Sequence, residues 1–237
     1  MIKKLTLIGA GPGDPDLISV KGMKALQQAK VVLYDALVHT DLLNYAKEAE
    51  CIYVGKRAGT HYNSQDEINT LILEKANEFG EVVRLKGGDP FIFGRGQEEV
   101  DFATKHNIAV EVIPGISSAI GIPSLHQIPL TKRGTNESVW IVTGTTKKCQ
   151  ISDDIIIAAQ SNATVVILMG MSQLQQIIDI FIEKRGNNHP IAIIQNGSFE
   201  NEKYIKGTLQ NIIQLKEEQQ IKSPALIIIG NVVEHMQ

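Results

Sequence analysis

The feature that most constrains the fold is an alternation of short β-rich segments with helical segments. Five apolar runs of strand length occupy residues 5–9, 31–35, 51–55, 82–86 and 110–114. Between the third and fourth runs, residues 64–79 carry apolar side chains at helical spacing, and Ser64 and Glu67 form a predicted capping box. Strands that alternate with helices predict right-handed crossovers and a mainly parallel sheet.

The second half of the chain repeats this pattern. Strand-like runs occur at residues 139–144, 164–170, 191–197 and 225–230, a helix is predicted after Ser172, and a short strand near 204–207 predicts some antiparallel pairing. Residues 114–136 are rich in Gly, Pro, Ser and Thr, which is typical of a junction. We therefore predict an α/β protein with two α/β domains, residues 1–116 and 117–237, and a ligand cleft between them.

Composition excludes several classes of function. The chain has 237 residues, 43% of them apolar, and a net charge of −3, so no overall positive charge recruits nucleic acid or an acidic membrane. The longest apolar runs have strand length, and the N-terminal run is too short for a signal peptide. Cys51 and Cys149 lie far apart, and the six histidines form no ligand motif. These features predict a cytoplasmic protein with reduced thiols and without a metal site.

Glycine and charge concentrate in the segments that follow the predicted strands. These segments are GAGPGD at 9–14, Asp35, Gly55-Lys56-Arg57, GGDPFIFGRG at 87–96, and PGISS at 114–118. Ligands of open parallel sheets bind outside the carboxyl ends of the strands, so these segments predict one binding face.

The loop GAGPGD differs from a dinucleotide-binding loop in ways that argue against phosphate binding. It lacks the third glycine of that fingerprint, Pro12 has no N–H to offer, and Asp14 would repel a phosphate. Its glycines instead allow the backbone to approach a bulky or flat ligand closely. This pattern argues against a dinucleotide-dependent oxidoreductase.

The segment RLKGGDPFIFGRG at 84–96 carries the most specific signal. Together with GAGPGDPDLISVKG, VVLYDALV, GKRAGTH, IPGISSAIGIP and SPALIIIG, it resembles the uroporphyrinogen-III C-methyltransferases of the tetrapyrrole methyltransferase superfamily, in order and over essentially the whole chain. The chain resembles the free-standing form of these enzymes. The resemblance implies two α/β domains with the methyl donor in the cleft, the first bearing substrate and donor loops and the second completing the donor site. A homodimer is also implied.

The implied reaction transfers methyl groups from S-adenosyl-L-methionine to uroporphyrinogen III. Methylation at C-2 and C-7 gives precorrin-2, for sirohaem or cobalamin biosynthesis, with S-adenosyl-L-homocysteine as the second product. Neither a metal nor a redox cofactor is implied.

The resemblance also assigns donor-binding positions. They are Pro12, Gly87, Gly88, Asp89, Ile92, Ser117, Ser118, Met169 and Gly197. Ile92 and Met169 can supply apolar walls, and Asp89 can accept from a ribose hydroxyl or an ammonium group. Ser117 and Ser118 are expected to open a helix that suits a carboxylate. Taken alone, Met169 is more consistent with filling a core gap than with binding a ligand.

The proton acceptor and proton donor of the family correspond to Asp35 and Lys56. On chemical grounds we expect Lys56 rather to hold a substrate carboxylate, because its neighbours are also cationic. A polycarboxylate substrate requires local cations, and strand alternation places Arg84 and Lys86 on one face. The candidate substrate-binding residues are Arg57, Arg84, Arg95 and Arg133, with Lys132 the weakest further candidate.

Two other functions remain open from the sequence. One is a different methyltransferase of the superfamily, acting on a corrin ring, a diphthine precursor or ribosomal RNA. The other is a non-catalytic protein that binds adenosylmethionine without turnover. The length and the intact GGDPFIFGRG segment favour the uroporphyrinogen enzyme.

Overall fold

The chain is built on two five-stranded sheets, one in each half. The computed structural model describes residues 3–55, 64–146, 148 and 150–237. By its internal contacts the chain divides into two compact units, Met1–Ser117 and Ser118–Gln237. Each unit combines a sheet with helices, so the α/β fold class predicted from the sequence is confirmed.

The first unit contains an all-parallel sheet with the strand order β3-β2-β4-β1-β5. Its elements are β1 Lys4–Gly9, α1 Val20–Gln28, β2 Val31–Tyr34, β3 Glu50–Tyr53, α2 Gln65–Phe79, β4 Glu81–Lys86, α3 Gly96–Lys105 and β5 Ala109–Ile113, with 3-10 turns at Pro15–Leu17 and Thr40–Tyr45. Because all five strands run the same way, their carboxyl ends meet at one edge of the sheet.

Alternating side chains of the first sheet enter two separate cores. Leu5 and Leu7 pack with α2 and α3 on one face, whereas Ile8 packs with α1 on the other. The predicted capping box of α2 is present, with the Ser64 hydroxyl accepting from the Glu67 N–H and the Glu67 carboxylate accepting from the Ser64 N–H. Burial on both faces fixes the register of the strands and therefore the positions of their ends.

The second unit contains a mixed sheet with the strand order β6-β7-β10-β8-β9. Its elements are α4 Ser118–Leu125, β6 Val139–Thr143, α5 Asp154–Gln160, β7 Thr164–Leu168, α6 Leu174–Arg185, β8 Pro190–Gln195, β9 Lys203–Thr208, α7 Ile212–Glu218 and β10 Ala225–Ile229, with 3-10 turns at Met171–Gln173 and Asn231–His235. Strands β6 and β7 pair in parallel, and the three other pairs are antiparallel. Antiparallel pairing thus extends well beyond the predicted strand near 204–207.

The core of the second unit confirms the predicted helix after Ser172. Leu174, Ile177, Ile178 and Phe181 of α6 are buried against the sheet, at the 3.6-residue period that the sequence shows. A second cluster on the opposite face joins α4 to the 3-10 turn at 231–235.

Two negative findings apply to the described residues alone. None of their helices has the length and apolar character required to cross a membrane. Within residues 3–55, 64–146, 148 and 150–237, there is no cluster of three or more His, Cys, Asp or Glu side chains that could hold a metal ion.

A pair of isoleucines tests the packing of the second unit. Ile177→Ala should lower the free energy of unfolding by about 2–5 kcal/mol, because the side chain is 0% exposed and its truncation leaves a cavity. Ile157→Ala, on a side chain that is 52% exposed, should cost less than about 1 kcal/mol. Urea denaturation measures both, and equal losses would contradict the assigned core.

Arg185 and His189 form a partly buried polar contact at the end of α6. The Arg185 guanidinium donates to the carbonyls of Ala158, Ala159 and Ala163 and lies 3.3 Å from His189 Nε2. Burial, and then the charge of Arg185, lowers the pKa of His189 to about 4. The ring is therefore neutral in the folded protein at pH values where the unfolded chain already binds a proton.

This contact predicts a loss of stability at mildly acidic pH. Neutral His189 makes its full contribution to the free energy of unfolding above its ordinary pKa of 6.5. That contribution is lost as the pH falls from 6.5 towards about 4. His189→Gln should flatten the dependence of the urea midpoint on pH over this interval, whereas His235→Gln, on an exposed residue of the same unit, should retain it. An unchanged slope in His189→Gln would contradict the assignment.

Candidate active site

The loops that follow β1, β4 and β5 touch through their backbones. Gly88 N–H donates to the Gly11 carbonyl at 2.7 Å, and Gly11 N–H donates to the Gly88 carbonyl at 3.3 Å. A Cβ at Gly9 would collide with the Gly115 backbone, and a Cβ at Gly115 would collide with the Gly88 carbonyl. We refer to these contacts among Gly9, Gly11, Gly88 and Gly115 as the glycine contact. Only glycine fits at these positions, because the backbones of the three loops contact one another directly.

Asp89 holds the same loops together with its carboxylate. Oδ1 accepts from the Phe91 N–H at 2.9 Å, and Oδ2 accepts from the Gly115 N–H at 3.1 Å. A carboxylate has about four acceptor positions, so Asp89 can also accept from a ligand. The structure therefore gives Asp89 a role in shaping the loops, and its predicted contact with the donor stays a prediction.

The segment 87–96 adopts an unusual backbone conformation. Phe93 and Arg95 have positive φ angles of 53° and 59°, in the left-handed region that non-glycine residues seldom occupy. A Cβ at Gly94 or Gly96 would approach the Pro90 carbonyl to 2.6 Å, so the loop closes tightly on Pro90. The side chains of Phe91, Ile92 and Phe93 are exposed on this loop. Strained backbone and exposed apolar side chains are typical of a ligand-binding loop.

The loop GAGPGD forms a turn and a cap. Pro12 is buried, and the Asp14 carboxylate accepts from the Asp16 N–H to cap the 3-10 turn at 15–17. A hollow of about 380 Å³ lies beside this turn, lined by residues 16–19 and 114–116. None of the predicted donor-binding residues lines this hollow, so it was not found from the sequence.

Four charged side chains form a cluster below the ends of β2 and β4. Arg84 Nε and Lys86 Nζ lie 3.0 and 3.1 Å from Glu99 Oε1, and Arg84 Nη2 donates to Asp35 Oδ1 at 2.5 Å. Lys86 Nζ also lies 3.9 Å from Asp35 Oδ2. We call Asp35, Arg84, Lys86 and Glu99 the charge cluster. Its two cations and two carboxylates balance.

The charge cluster is buried except at Asp35. The side chains of Glu99, Arg84 and Lys86 are 0%, 2% and 5% exposed, whereas Asp35 is 28% exposed. Glu99 Oε2 lies 3.1 Å from Lys86 Nζ but accepts no well-directed hydrogen bond, so its attraction to that lysine is mainly electrostatic. Asp35 is thus the member that can meet a ligand.

The environment shifts the pKa values of the two cations in opposite directions. Burial, and then the charge of Arg84, lowers the pKa of Lys86, and the nearby carboxylates only partly oppose this. Burial is also the largest single influence on the pKa of Arg84, which it lowers. The combined effect of Glu99 and Asp35 outweighs burial, so the pKa of Arg84 is raised. Lys86 is therefore the cation of the cluster whose charge can change most readily.

The predicted substrate-binding residue Arg84 has its side chain engaged within the charge cluster. Its Nε and Nη2 atoms bind Glu99 and Asp35, and Nη1 donates to the Leu33 and Leu85 carbonyls at 3.3 Å each. Strand alternation correctly placed Arg84 and Lys86 on one face, where Glu99 of α3 binds both side chains. Arg84 is therefore buried and bound within the charge cluster, and its predicted contact with a substrate stays a prediction.

The other predicted cations differ in their surroundings. Arg95 is half exposed and forms a two-point ion pair with Glu98 at 2.7 and 2.6 Å. Arg133 is exposed. Lys56 and Arg57 lie outside the described residues. The roles of Arg57, Arg95 and Arg133 towards a substrate stay predictions.

The second unit places three predicted donor-binding residues at element ends. Met169 follows β7 with a φ of 54° and is 53% exposed, so the alternative of core filling is wrong. The Thr145 hydroxyl donates to the Met169 carbonyl at 2.8 Å and supports this turn. A Cβ at Gly197 would meet the Ile122 side chain at 2.7 Å. Ser118 begins α4 as expected, and Ser117 before it is buried.

A family model for the tetrapyrrole (corrin/porphyrin) methylases matches residues 4–213. The chain belongs to this family. It is 47% identical over 236 residues to the uroporphyrinogen-III C-methyltransferase of Methanocaldococcus jannaschii, covering 98% of each chain. It is also 44% identical to siroheme synthase 2 of Pectobacterium atrosepticum, with 97% of this chain matching 50% of that protein.

Solved structures place this methylase in the same fold. The uroporphyrin-III C-methyltransferase of Thermus thermophilus, complexed with S-adenyl homocysteine, matches with a TM-score of 0.84 and 36% identity, covering 98% of this chain and 99% of that chain. The predicted two-domain tetrapyrrole methylase architecture is therefore confirmed.

Glu99 and Thr145 are the candidate functional residues that sequence reasoning missed. A signal for Glu99 was available, because two cations at alternate positions of a central strand require a buried anion. The helix that follows the GRG segment offers Glu98 and Glu99, and only the second faces the sheet of this methylase. No comparable signal pointed to Thr145.

Asp89 provides a test of the loop geometry in this methylase. Asp89→Ala leaves the Phe91 and Gly115 N–H groups without their acceptor, so the affinity for S-adenosylhomocysteine should fall about 10-fold or more. Asp101→Ala removes an exposed carboxylate from α3 and should leave that affinity unchanged. Calorimetric titration measures both, and equal affinities would show that Asp89 does not shape the donor site.

Proposed function

We propose that this chain is an S-adenosylmethionine-dependent uroporphyrinogen-III C-methyltransferase. It methylates uroporphyrinogen III at C-2 and C-7 and releases precorrin-2 and S-adenosylhomocysteine. The observation that carries the proposal is the end-to-end similarity to the Methanocaldococcus enzyme, at 47% identity over 98% of both chains. The glycine contact agrees with it, because it offers close backbone approach without a phosphate cradle.

The methyl donor is a sulfonium nucleoside, and the proposed donor-binding residues suit its parts. Ile92 and Met169 are exposed apolar side chains that can cover an adenosyl group. Backbone groups of Gly87 and Gly88 and the spare acceptor positions of Asp89 can bind the ribose or the ammonium group. Pro12, Ser117, Ser118 and Gly197 complete the proposed set.

The chemistry requires positioning and one proton acceptor for each methyl transfer. A nucleophilic pyrrole carbon attacks the methyl carbon in line, the C–C bond forms, and the C–S electron pair remains on sulfur. The resulting cation loses a proton from the porphyrinogen skeleton, and Asp35 is the proposed acceptor. Correct orientation of the reactants can lower the barrier by about 7–11 kcal/mol.

The substrate is a polycarboxylate, so the proposed contacts are cationic. Arg57, Arg95 and Arg133 are the arginines proposed to bind its acetate and propionate arms, and Lys56 holds a further carboxylate or donates a proton. Arg84 acts within the charge cluster. We place the enzyme in the cytoplasm as a homodimer, which the resemblance to its family supports. Its product serves sirohaem or cobalamin biosynthesis.

A single assay tests the reaction. Purified protein, incubated without oxygen with uroporphyrinogen III and S-adenosylmethionine, should yield a product heavier by two methyl groups, detected by mass spectrometry. Bound donor with no gain in substrate mass would instead support a non-catalytic donor-binding protein. Methylation of a corrin ring in preference to uroporphyrinogen III would reassign the substrate.

Substitution of Arg95 distinguishes a role in substrate binding from a role in donor binding. Arg95→Ala should lower kcat/KM for uroporphyrinogen III about 10- to 100-fold, the loss expected for a charged hydrogen bond, with S-adenosylhomocysteine affinity changed less than about twofold. Lys105→Ala removes an exposed cation from the last turn of α3, the helix that follows Arg95, and should leave both quantities unchanged. Parallel losses of turnover and donor affinity in Arg95→Ala would move Arg95 to the donor site.

A further inference from the structure

Glu99 is a buried carboxylate for which the fold alone gives no reason. Among the described residues it is the one acidic residue that is fully buried, and it lies on the inner face of α3. It binds Arg84 and Lys86, and Gln65 of α2 lies 3.4 Å from Oε1. A buried group of ion pairs is often no more stabilising than apolar side chains of similar volume. The charge cluster therefore points to a function.

The contacts of the charge cluster lead from Glu99 outward to Asp35. Glu99 fixes the two cations, Arg84 holds Asp35 Oδ1 at 2.5 Å, and Lys86 faces Asp35 Oδ2 at 3.9 Å. Three of the four side chains are buried, and the fourth is the proposed proton acceptor. The position and the electrostatic surroundings of that acceptor thus depend on the buried residues of the cluster.

On the basis of the proposed function, we propose that Glu99 and Lys86 are positioning residues for Asp35, and that turnover requires Lys86 in its protonated form. Glu99 anchors Lys86 and Arg84, and these two cations orient the Asp35 carboxylate. With Lys86 protonated, the charge cluster is neutral overall. With Lys86 neutral, it carries a net negative charge where a polycarboxylate substrate must bind, and Asp35 Oδ2 loses its cationic neighbour.

The proton balance of the step is simple. The porphyrinogen cation formed by methyl transfer gives one proton to Asp35, which then passes it to solvent before the second transfer. Lys86 exchanges no proton with the substrate. It keeps its charge throughout the cycle and acts through Asp35.

The groups that face Lys86 set the pH at which its charge is lost. The described charged groups are Arg84 of β4, Glu99 of α3 and Asp35 after β2, and the polar Gln65 of α2 lies against Glu99. Burial and Arg84 lower the pKa of Lys86, while Glu99 and Asp35 raise it. Removal of the Glu99 charge must therefore lower the pKa of Lys86 further.

The test is the pH dependence of kcat in three variants. In Glu99→Gln the alkaline decrease in kcat should move to lower pH by about one to three units, the usual effect of losing one close opposite charge. In Lys86→Arg that decrease should disappear from the accessible range, because a guanidinium stays protonated, and the rate near neutrality should remain within about 10-fold of wild type. Asp101→Asn, on the exposed face of α3, should match the wild type.

Two further measurements distinguish a loss of turnover caused by misplacement of Asp35 from one caused by unfolding. S-adenosylhomocysteine affinity and thermal unfolding should show that each variant is folded and binds donor within about threefold of wild type. If Glu99→Gln does not fold, Lys86→Arg alone decides, because it retains the charge of the cluster. An alkaline limb that is unchanged in the folded variants would overturn the role of Lys86. Absence of methylation by the wild type would instead overturn the proposed function, and this inference with it.

Discussion

The backbone contact among Gly9, Gly11, Gly88 and Gly115 is the constraint from which the candidate site follows. It brings the loops after β1, β4 and β5 so close that side chains are excluded, and Asp89 locks the arrangement with two hydrogen bonds. A parallel sheet makes this possible, since its strands end at one edge. The loops that result offer glycine backbone and exposed apolar side chains in place of a phosphate-binding turn.

The charge cluster lies below this edge, and its role is to balance charge near the candidate site. The overall charge of the chain is −3, yet its proposed substrate is an anion, so charge must be controlled locally. Arg84 and Lys86 are buried, with side chains that are 2% and 5% exposed. They balance Asp35 and Glu99, which lets one carboxylate remain partly exposed without presenting an uncompensated negative charge.

Much of the fold could be predicted because its signals are local. Strand-helix alternation predicted the first sheet, and Ser64 and Glu67 marked the start of α2. The second sheet was harder, because the apolar run of β10 does not reveal that it pairs antiparallel between β7 and β8. The burial of Arg84 and Glu99 was not predicted, because it depends on a contact between residues that are distant in the sequence. The exposure of Met169 depends on a turn that its neighbours in the sequence do not specify. Lys56 and Arg57 lie outside the described residues.

The central claim is that the glycine contact and the loop beside it form the donor site. A crystal structure of the protein with S-adenosylhomocysteine tests it most directly. The account predicts that the adenosyl group and its ribose lie in contact with residues 87–92, next to the Gly115 backbone. Well-defined density for the ligand elsewhere on the protein, with residues 87–92 free of contact, would contradict it.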